Sequence, residues 1–477
     1  MARQNPTPNA GPVLFARGAT GLQLHLAAVI VLDAAQDPPD LRPEVGRDVA
    51  PVALHHPGGQ IVWCYEFALP VQPEAAYELG GRRYPVASDL TGAVRIAFVS
   101  CNGQESGDRE RHIHERNALW RELHAEHDRQ PFHLLLHGGD QIYADEILDA
   151  HPDLQRWREA SPDEQAAMVW GSEHAEAAES FLFQRYVELL THPELAYLAA
   201  RVPSVMMWDD HDIFDGWGSH PRVVHDSPVA QGLFSAARSY FRIFQQGDSP
   251  DPVADDADPP PLGQGLRFPG FGVVAPDLRS QRLPDRVMAE SGWGAFEGEL
   301  AELGEEARLL VLSSVPALGP RLSLVERILQ VIPGGQKYED DLRDQWQSPA
   351  HRAEWGRFLE TLLERLEVMG QAVTVLSGEI HLATRGELSS PAGTLHQLVA
   401  SGVAHPPPPK LWARTLGLRA RIGETPLPGH PVRMKPLPGQ QGIYTAERNF
   451  LVLERTGESW SVAWRLEGSG WTDVLAV

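Results

Sequence analysis

Between residues 10 and 90 apolar and polar positions alternate in strand-length runs broken by Pro and Gly. LQLHLAAVIVL (22–32) alternates and then runs apolar, while IVWCYEFALPV (61–71) and AAYELGGRRYPV (75–86) are rich in aromatic and β-branched residues. Such runs predict strands joined by turns. The stretch reads as a small β-sandwich-like domain ending between Asp89 and Gly92. From Val94 the texture changes, and short apolar runs alternate with helix-length patterns. VRIAFVS (94–100), FHLLLHGGD (132–140), SVMMWDD (204–210), RLLVLSSVP (308–316) and AVTVLSGEIH (372–381) are the strand candidates, with a helical stretch from about Arg109 to Arg129 after the first and further helices up to about Ala200. Before the last strand, Trp355, Phe358, Leu359, Leu362, Leu363 and Leu366 recur at three- and four-residue steps, so one face of a helix is apolar. Ser348 is its predicted N-cap and Pro349 its first residue. Strands alternating with helices predict a layered α/β domain.

Two regions break this rhythm. GDSPDPVADDADPPPLGQG (247–265) reads as an acidic, Pro-rich linker, and residues 405–440, beginning HPPPPKLWAR, as a long irregular loop. The chain ends in strand-like NFLVLER, WSVAWRLE and TDVLAV. At 477 residues it exceeds one simple core. The expected division is an N-terminal β domain over 1–91 and an α/β domain over 92–477 that includes the C-terminal strands.

Composition narrows the function classes. Forty-one basic against 64 acidic residues give a net charge of −23, which argues against a nucleic-acid-binding surface. It leaves a phosphate site open, because bound cations invert a local field. Two cysteines, Cys64 and Cys101, do not make a disulfide framework. No run of about 18 apolar residues predicts a membrane span. The first residues, MARQNPTPNAGPVLFARG, lack an apolar segment of signal-peptide length. The expectation is a cytoplasmic protein, secretion being compatible if a leader was removed.

Chemistry collects where the predicted strands end. RIAFVSCN ends in Cys101 and Asn102, and HLLLHGGDQIYADE in Asp140, Tyr143, Asp145 and Glu146. SVMMWDDHD ends in Asp209, Asp210 and His211, TVLSGEIH in Glu379 and His381, and LLVLSSVP in Ser313 and Ser314. Carboxyl ends of strands are where α/β sheets build sites. Carboxylate, thiolate, phenolate and imidazole together form a metal-ligand set. Cations between them would also relieve the repulsion of adjacent aspartates. Each residue has an ordinary use when taken alone: a turn aspartate at 140, a buried thiol at 101, a packed ring at 143, a core histidine at 381, and turn caps at 212 and 215. What argues for a site is that several independent strand ends carry such residues.

VSCN, GDQIYADE, WDDHDIFDGWG, DLRSQR and LSGEIH, in this order over roughly residues 94–456, resemble the alkaline phosphatase D (PhoD-like) branch of the calcineurin-like metallophosphoesterases. The resemblance implies a four-layer sandwich: two packed mixed β-sheets flanked by helices, behind a small all-β N-terminal domain. It implies a multinuclear centre of ferric iron with calcium or another divalent cation. Carried over, Cys101 is a thiolate ligand, Asp140 bridges metals, Tyr143 is a phenolate ligand of iron and His381 is the terminal ligand. His211 is the catalytic group. Asp210 matches the preceding ligand position, with Asp209 either supporting it or taking that role. Glu379, a further metal ligand by this resemblance, stands where the family often has Asp, and Asn102 where it often has Gln.

The implied activity is hydrolysis of phosphomonoesters or phosphodiesters by a metal-activated hydroxide. His211 would assist the leaving oxygen, and Asn102 and Arg279 would contact the phosphate. Arg414, Arg419, Arg421 and Arg433 would supply a locally basic mouth. Two rivals remain open at this point. One is a binding module with a structural metal, whose N-terminal β domain recognises a polymer through aromatics such as those of IVWCYEFALPV. The other is a metal-free interaction protein. Nothing in the sequence sets an oligomeric state.

Overall fold

A computed structural model describes residues 7–103, 106–250, 260–320 and 345–477. Two large mixed sheets pack face to face with helices on their outer sides. The first runs, in spatial order, Gly470–Trp471, Ser459–Leu466, Asn449–Thr456, Val94–Val99, Leu134–Gly138, Ser204–Met207, Ala10–Thr20, Gln23–Asp33, Gln60–Pro70 and Val52–His55. The second runs Gln264–Phe268, Phe271–Ala275, Arg308–Ser313, Ala372–Ser377, Gly393–Val399, Thr384–Ser390, His430–Lys435 and Glu424–Leu427. A three-stranded sheet of Leu41–Pro43, Ala75–Leu79 and Arg82–Val86 stands apart.

Period-two alternation explains the layering. Ile96, Phe98, Leu134, Leu136, Val205 and Met207 point into the core shared with the second sheet, which also holds Val273, Leu310 and Leu312. Ala97, Val99, Leu135 and Met206 point the other way, onto the helices Ala118–Arg129, Ser172–Leu190 and Pro228–Phe241. Both faces are covered, so these strands read as nearly continuous apolar runs.

The boundary expected at residue 91 is not a break in the sheet. Ala10–Thr20 pairs in parallel with Ser204–Met207, Phe15 opposite Ser204, and the strands Gln23–Asp33 and Gln60–Pro70 continue outward from it. Leu14 and Ala16 face the inter-sheet core while Val13 and Phe15 face the helices, so this N-terminal strand is central. Tyr65 and Phe67, of the aromatic run considered for polymer recognition, are buried in the same core, and Trp63 packs against it.

Three local expectations shift. The helix expected from Pro349 spans Arg352–Glu367 with His351 at its N-cap, and its six apolar residues are buried as the periodicity required. The preceding residues form a turn, Ser348 N–H to Gln345 O at 3.0 Å and His351 N–H to Ser348 O at 3.1 Å, which buries Trp346. Residues 405–440, read as irregular, hold the helix Lys410–Ala420 and the strands Glu424–Leu427 and His430–Lys435. Their prolines gather before the helix and around the strand turn, which disguised both. Of the acidic linker, residues 251–259 lie outside the described residues, and its last two residues open the strand Gln264–Phe268.

The parallel strands of both sheets deliver their carboxyl ends to one junction. There Gly378 N–H donates to Ser314 O at 3.1 Å and Val403 N–H to Ser100 O at 3.0 Å. Backbones approach so closely that a Cβ on Gly378 would lie 2.6 Å from Ser100 Cβ and 2.9 Å from Gly138 O. Gly378→Ala is therefore expected to lower stability by about 1–3 kcal/mol through overpacking. Thermal or denaturant melts measure this, and an unshifted midpoint would show that the junction is slack.

Candidate metal centre

Among the described residues, four non-glycine positions have positive φ: Cys101 (54°), Asp140 (56°), Glu379 (64°) and His381 (53°). All four were expected as metal ligands from the sequence, and each follows a parallel strand by two to four residues. The left-handed conformation costs an L-residue about 1–2 kcal/mol. It also turns the chain sharply off the strand axis. Strain of this kind concentrates at functional sites and persists only where surrounding structure enforces it.

The turns bring their side chains together. The Cys101 thiol donates to Asp140 Oδ2 at 3.4 Å and lies 3.1 Å from Ser401 Oγ. Ligand atoms of Cys101, Asp140 and His381 all lie within 4.8 Å of one another, and so do those of Asp140, Asp209 and Asp210. Asp140 belongs to both groups, as a bridging carboxylate would. Tyr143 Oη sits 3.2 Å from His381 Nε2. Glu379 falls outside these groups, and Gln345 Nε2 donates to both its oxygens at 2.7 and 2.8 Å.

Electrostatics test whether a cation fits. Burial, with the Asp140 charge beside it, pushes the Cys101 thiol well above its ordinary value. Burial pushes Asp140 well above the carboxylate range, and Asp209, Asp210 and Asp212 add to this while His211 opposes it. Asp140 Oδ1 is buried without a hydrogen-bond partner among the described residues. A buried oxygen with no donor is costly, and a cation held also by Cys101, His381 and Tyr143 would supply what it lacks. The donor set fits a metal.

Asp212 holds the site's frame. Fully buried, its Oδ2 accepts Asp140 N–H and Asp209 N–H, both at 2.9 Å, and its Oδ1 accepts Gln141 N–H and Ile142 N–H, both at 3.1 Å. Gln245 Nε2 adds a fifth donor at 2.8 Å. Gln245 lies in the π-helical turn Arg242–Gln246 that continues the helix Pro228–Phe241, a wider turn of the sort found near functional sites. Burial pushes Asp212 up to about 7 against the pull of these hydrogen bonds.

His211 is held in the same way. Its Nδ1 lies 3.0 and 3.1 Å from the two oxygens of Asp145, which also accepts Asp215 N–H at 2.6 Å. Its ring stacks on Tyr143 at 4.3 Å between centroids. Burial alone would lower the imidazole's pKa, but the charges of Asp145 and Asp210 outweigh it and hold the value well above the ordinary one.

Two residues expected at the substrate have other partners. Asn102 Oδ1 accepts Trp120 Nε1–H at 2.7 Å and its Nδ2 donates to Gln141 O at 3.2 Å, tying two strand-end loops together. Arg279 is fully buried, with Nε on Asp209 and Nη2 3.6 Å from Asp210 Oδ1. Part of the positive charge between the adjacent aspartates is thus this guanidinium. Asp209 also accepts Ser314 Oγ–H at 2.8 Å, and Asp210 accepts Gly216 N–H at 2.9 Å.

Ser401 and His405 escaped the sequence reading. Ser401 Oγ accepts His381 N–H at 2.7 Å, and the His405 ring stacks on His381 at 3.6 Å. Both follow the strand Gly393–Val399, which is not among the strand candidates of the sequence. Asp145 stands within the motif GDQIYADE, but nothing local ties it to His211, 66 residues away.

A family model described as PhoD related phosphatase matches residues 83–339. An uncharacterized protein of Saccharomyces cerevisiae, YGR266W, is 22% identical over 454 residues, covering 75% of this chain and 64% of its own length. The chain therefore spans just under two thirds of that relative. The solved structure titled "Structure of PhoD" aligns with a TM-score of 0.59 at 11% identity, over 99% of this chain and 90% of that one. At that identity the likeness shows the fold.

The Asp212 clasp yields a mutational test. Asp212→Asn turns one acceptor oxygen into a donor facing backbone N–H groups, at about 1–3 kcal/mol for each donor left without an acceptor. A lower melting temperature together with reduced metal content is expected. Wild-type values of both would show that the loops are held by something else.

Proposed function

The chain belongs to the PhoD-related phosphatase family, and from that premise we propose that it hydrolyses phosphomonoesters or phosphodiesters at a multinuclear metal centre. Supporting this reading above all is the coincidence of left-handed backbone with ligand chemistry at Cys101, Asp140 and His381, on strand ends of both sheets.

In this proposal Cys101, Tyr143, Asp140 and His381 would hold one ion, and Asp140 with Asp210 a second. Thiolate, phenolate and imidazole suit iron, and carboxylate oxygens suit calcium or another hard divalent cation. Bound cations supply the charge that holds phosphate oxygens and acidifies a water molecule for attack. Asp209, occupied by Arg279 and Ser314, positions its neighbour Asp210. Glu379 acts through its contact with Gln345. Because Asp145 engages Nδ1 of His211, Nε2 is left to give a proton to the departing oxygen or to stabilise its charge.

Purified protein should contain metal and hydrolyse an aryl phosphate or a bis-aryl phosphate, and chelation should remove both metal and turnover. Asp140→Asn is expected to lose turnover and metal together. His211→Ala is expected to retain metal while turnover falls about 10²–10⁴-fold. A full metal complement with no hydrolysis at any pH would favour a structural centre in a binding module, and unchanged turnover in His211→Ala would take that side chain out of the reaction.

A further inference from the structure

The helix Lys410–Ala420 is built inside out. Its buried positions are Ala413, Gly417 and Ala420, and a Cβ on Gly417 would sit 3.8 Å from Ile443 Cβ, in ordinary contact with the body of the protein. Leu416 packs partly against the core, but three large aliphatics point outward: Leu411 is 75% exposed, Leu418 64%, and Ile422, just past the helix, 81%. An amphipathic helix on a globular protein normally does the reverse. At about 100° per residue, Leu411, Leu418 and Ile422 fall within an arc of roughly 40°, so they make one stripe. Exposed Arg414 and Arg421 line one edge of it. No acidic residue occurs between His405 and Gly423, in a chain whose net charge is −23.

We propose that this helix docks the protein onto an anionic lipid surface, lying in the plane of the headgroups with Leu411, Leu418 and Ile422 inserted. An apolar stripe edged by cationic side chains on a convex, solvent-facing helix is the form such interfacial elements take. The choice of lipid over another partner rests on charge. Anionic headgroups attract the Arg414 and Arg421 edge, while the acidic remainder of the molecule is repelled, which fixes a single orientation. Among the described residues no helix is long and apolar enough to cross a membrane, so the contact is peripheral. Pro406–Pro409 join this helix to His405, whose ring stacks on His381. Four residues of extended polyproline geometry span about 12 Å, which brings the docked surface to the neighbourhood of the metal centre. The proposal stands apart from the phosphoesterase reading because its measurement is binding alone.

The test is co-sedimentation of the full chain with vesicles of phosphatidylcholine, with and without phosphatidylglycerol, at low and high salt. Wild-type protein is expected to pellet with the phosphatidylglycerol vesicles and to be partly released by salt. Leu418→Glu with Ile422→Glu should weaken partitioning at least about tenfold. Arg414→Glu with Arg421→Glu should weaken it on anionic vesicles. Both pairs should leave the melting temperature unchanged, since the side chains are exposed. Wild-type protein left in the supernatant, or variants that pellet as wild type does, would overturn the proposal. So would light scattering that finds a dimer dissociated by these same substitutions without vesicle binding, because the stripe would then be an interface between two copies.

Discussion

Four aspartates, 140, 209, 210 and 212, meet where the two sheets deliver their strand ends, and each is compensated differently. Asp212 takes four backbone N–H groups and Gln245, so its charge is spread over two loops and spent on fixing them. Asp209 takes Arg279, buried with it. Asp210 shares that guanidinium at longer range and accepts a backbone N–H. Asp140 receives the Cys101 thiol on one oxygen and has no partner among the described residues for the other. Like charges this close cannot all ionise unless something positive enters. The structure meets much of that demand with its own donors, and Asp140 Oδ1 keeps none among the described residues.

Geometry and strain reinforce this arrangement. The four left-handed non-glycine residues among the described ones, at about 1–2 kcal/mol each, are sustained because the strands before them are held on both sides. Cys101 N–H donates to Gly139 O at 3.2 Å, and Asn102 N–H to Asp140 O at 2.9 Å. Gly139 has φ of 98°, and a Cβ there would lie 2.8 Å from Asp209 Cβ. The loops therefore interlock, each using the backbone of the next. Closely packed parallel strands carry all four positions.

The strand ends and their chemistry were legible in the sequence because both signals are local. An apolar run followed within a few residues by Asp, Cys or His is visible in one short window. Partnerships between windows were not legible. Asn102 and Arg279 have the chemistry of phosphate contacts, and only the fold reveals that Trp120 and Asp209 engage them. Asp145 and Asp212 look like turn residues in isolation, and Asp212 is one, but the turns it caps belong to two different strand ends. The N-terminal strands alternate as a sandwich would, and nothing in that alternation says that Phe15 pairs beside Ser204. The helix Lys410–Ala420 was hidden by the prolines on either side, which mark breaks without saying what lies between them.

The segment just before those prolines closes the site from the second sheet. Val403 N–H and His405 N–H donate to Ser100 O and Cys101 O at 3.0 and 3.1 Å, so the segment after the strand Gly393–Val399 grips the Cys101 turn directly. His405 then stacks between His381 and Tyr143, with centroids 3.6 and 5.5 Å away, and Tyr143 stacks in turn on His211. Four rings from four separate loops thus make a continuous wall, in which each ring is fixed by the next. Immediately beyond it the chain enters Pro406–Pro409, where φ is restricted and a backbone donor is missing at each step. Pro406–Pro409 therefore lead directly from the ring that stacks on His381 to the helix Lys410–Ala420.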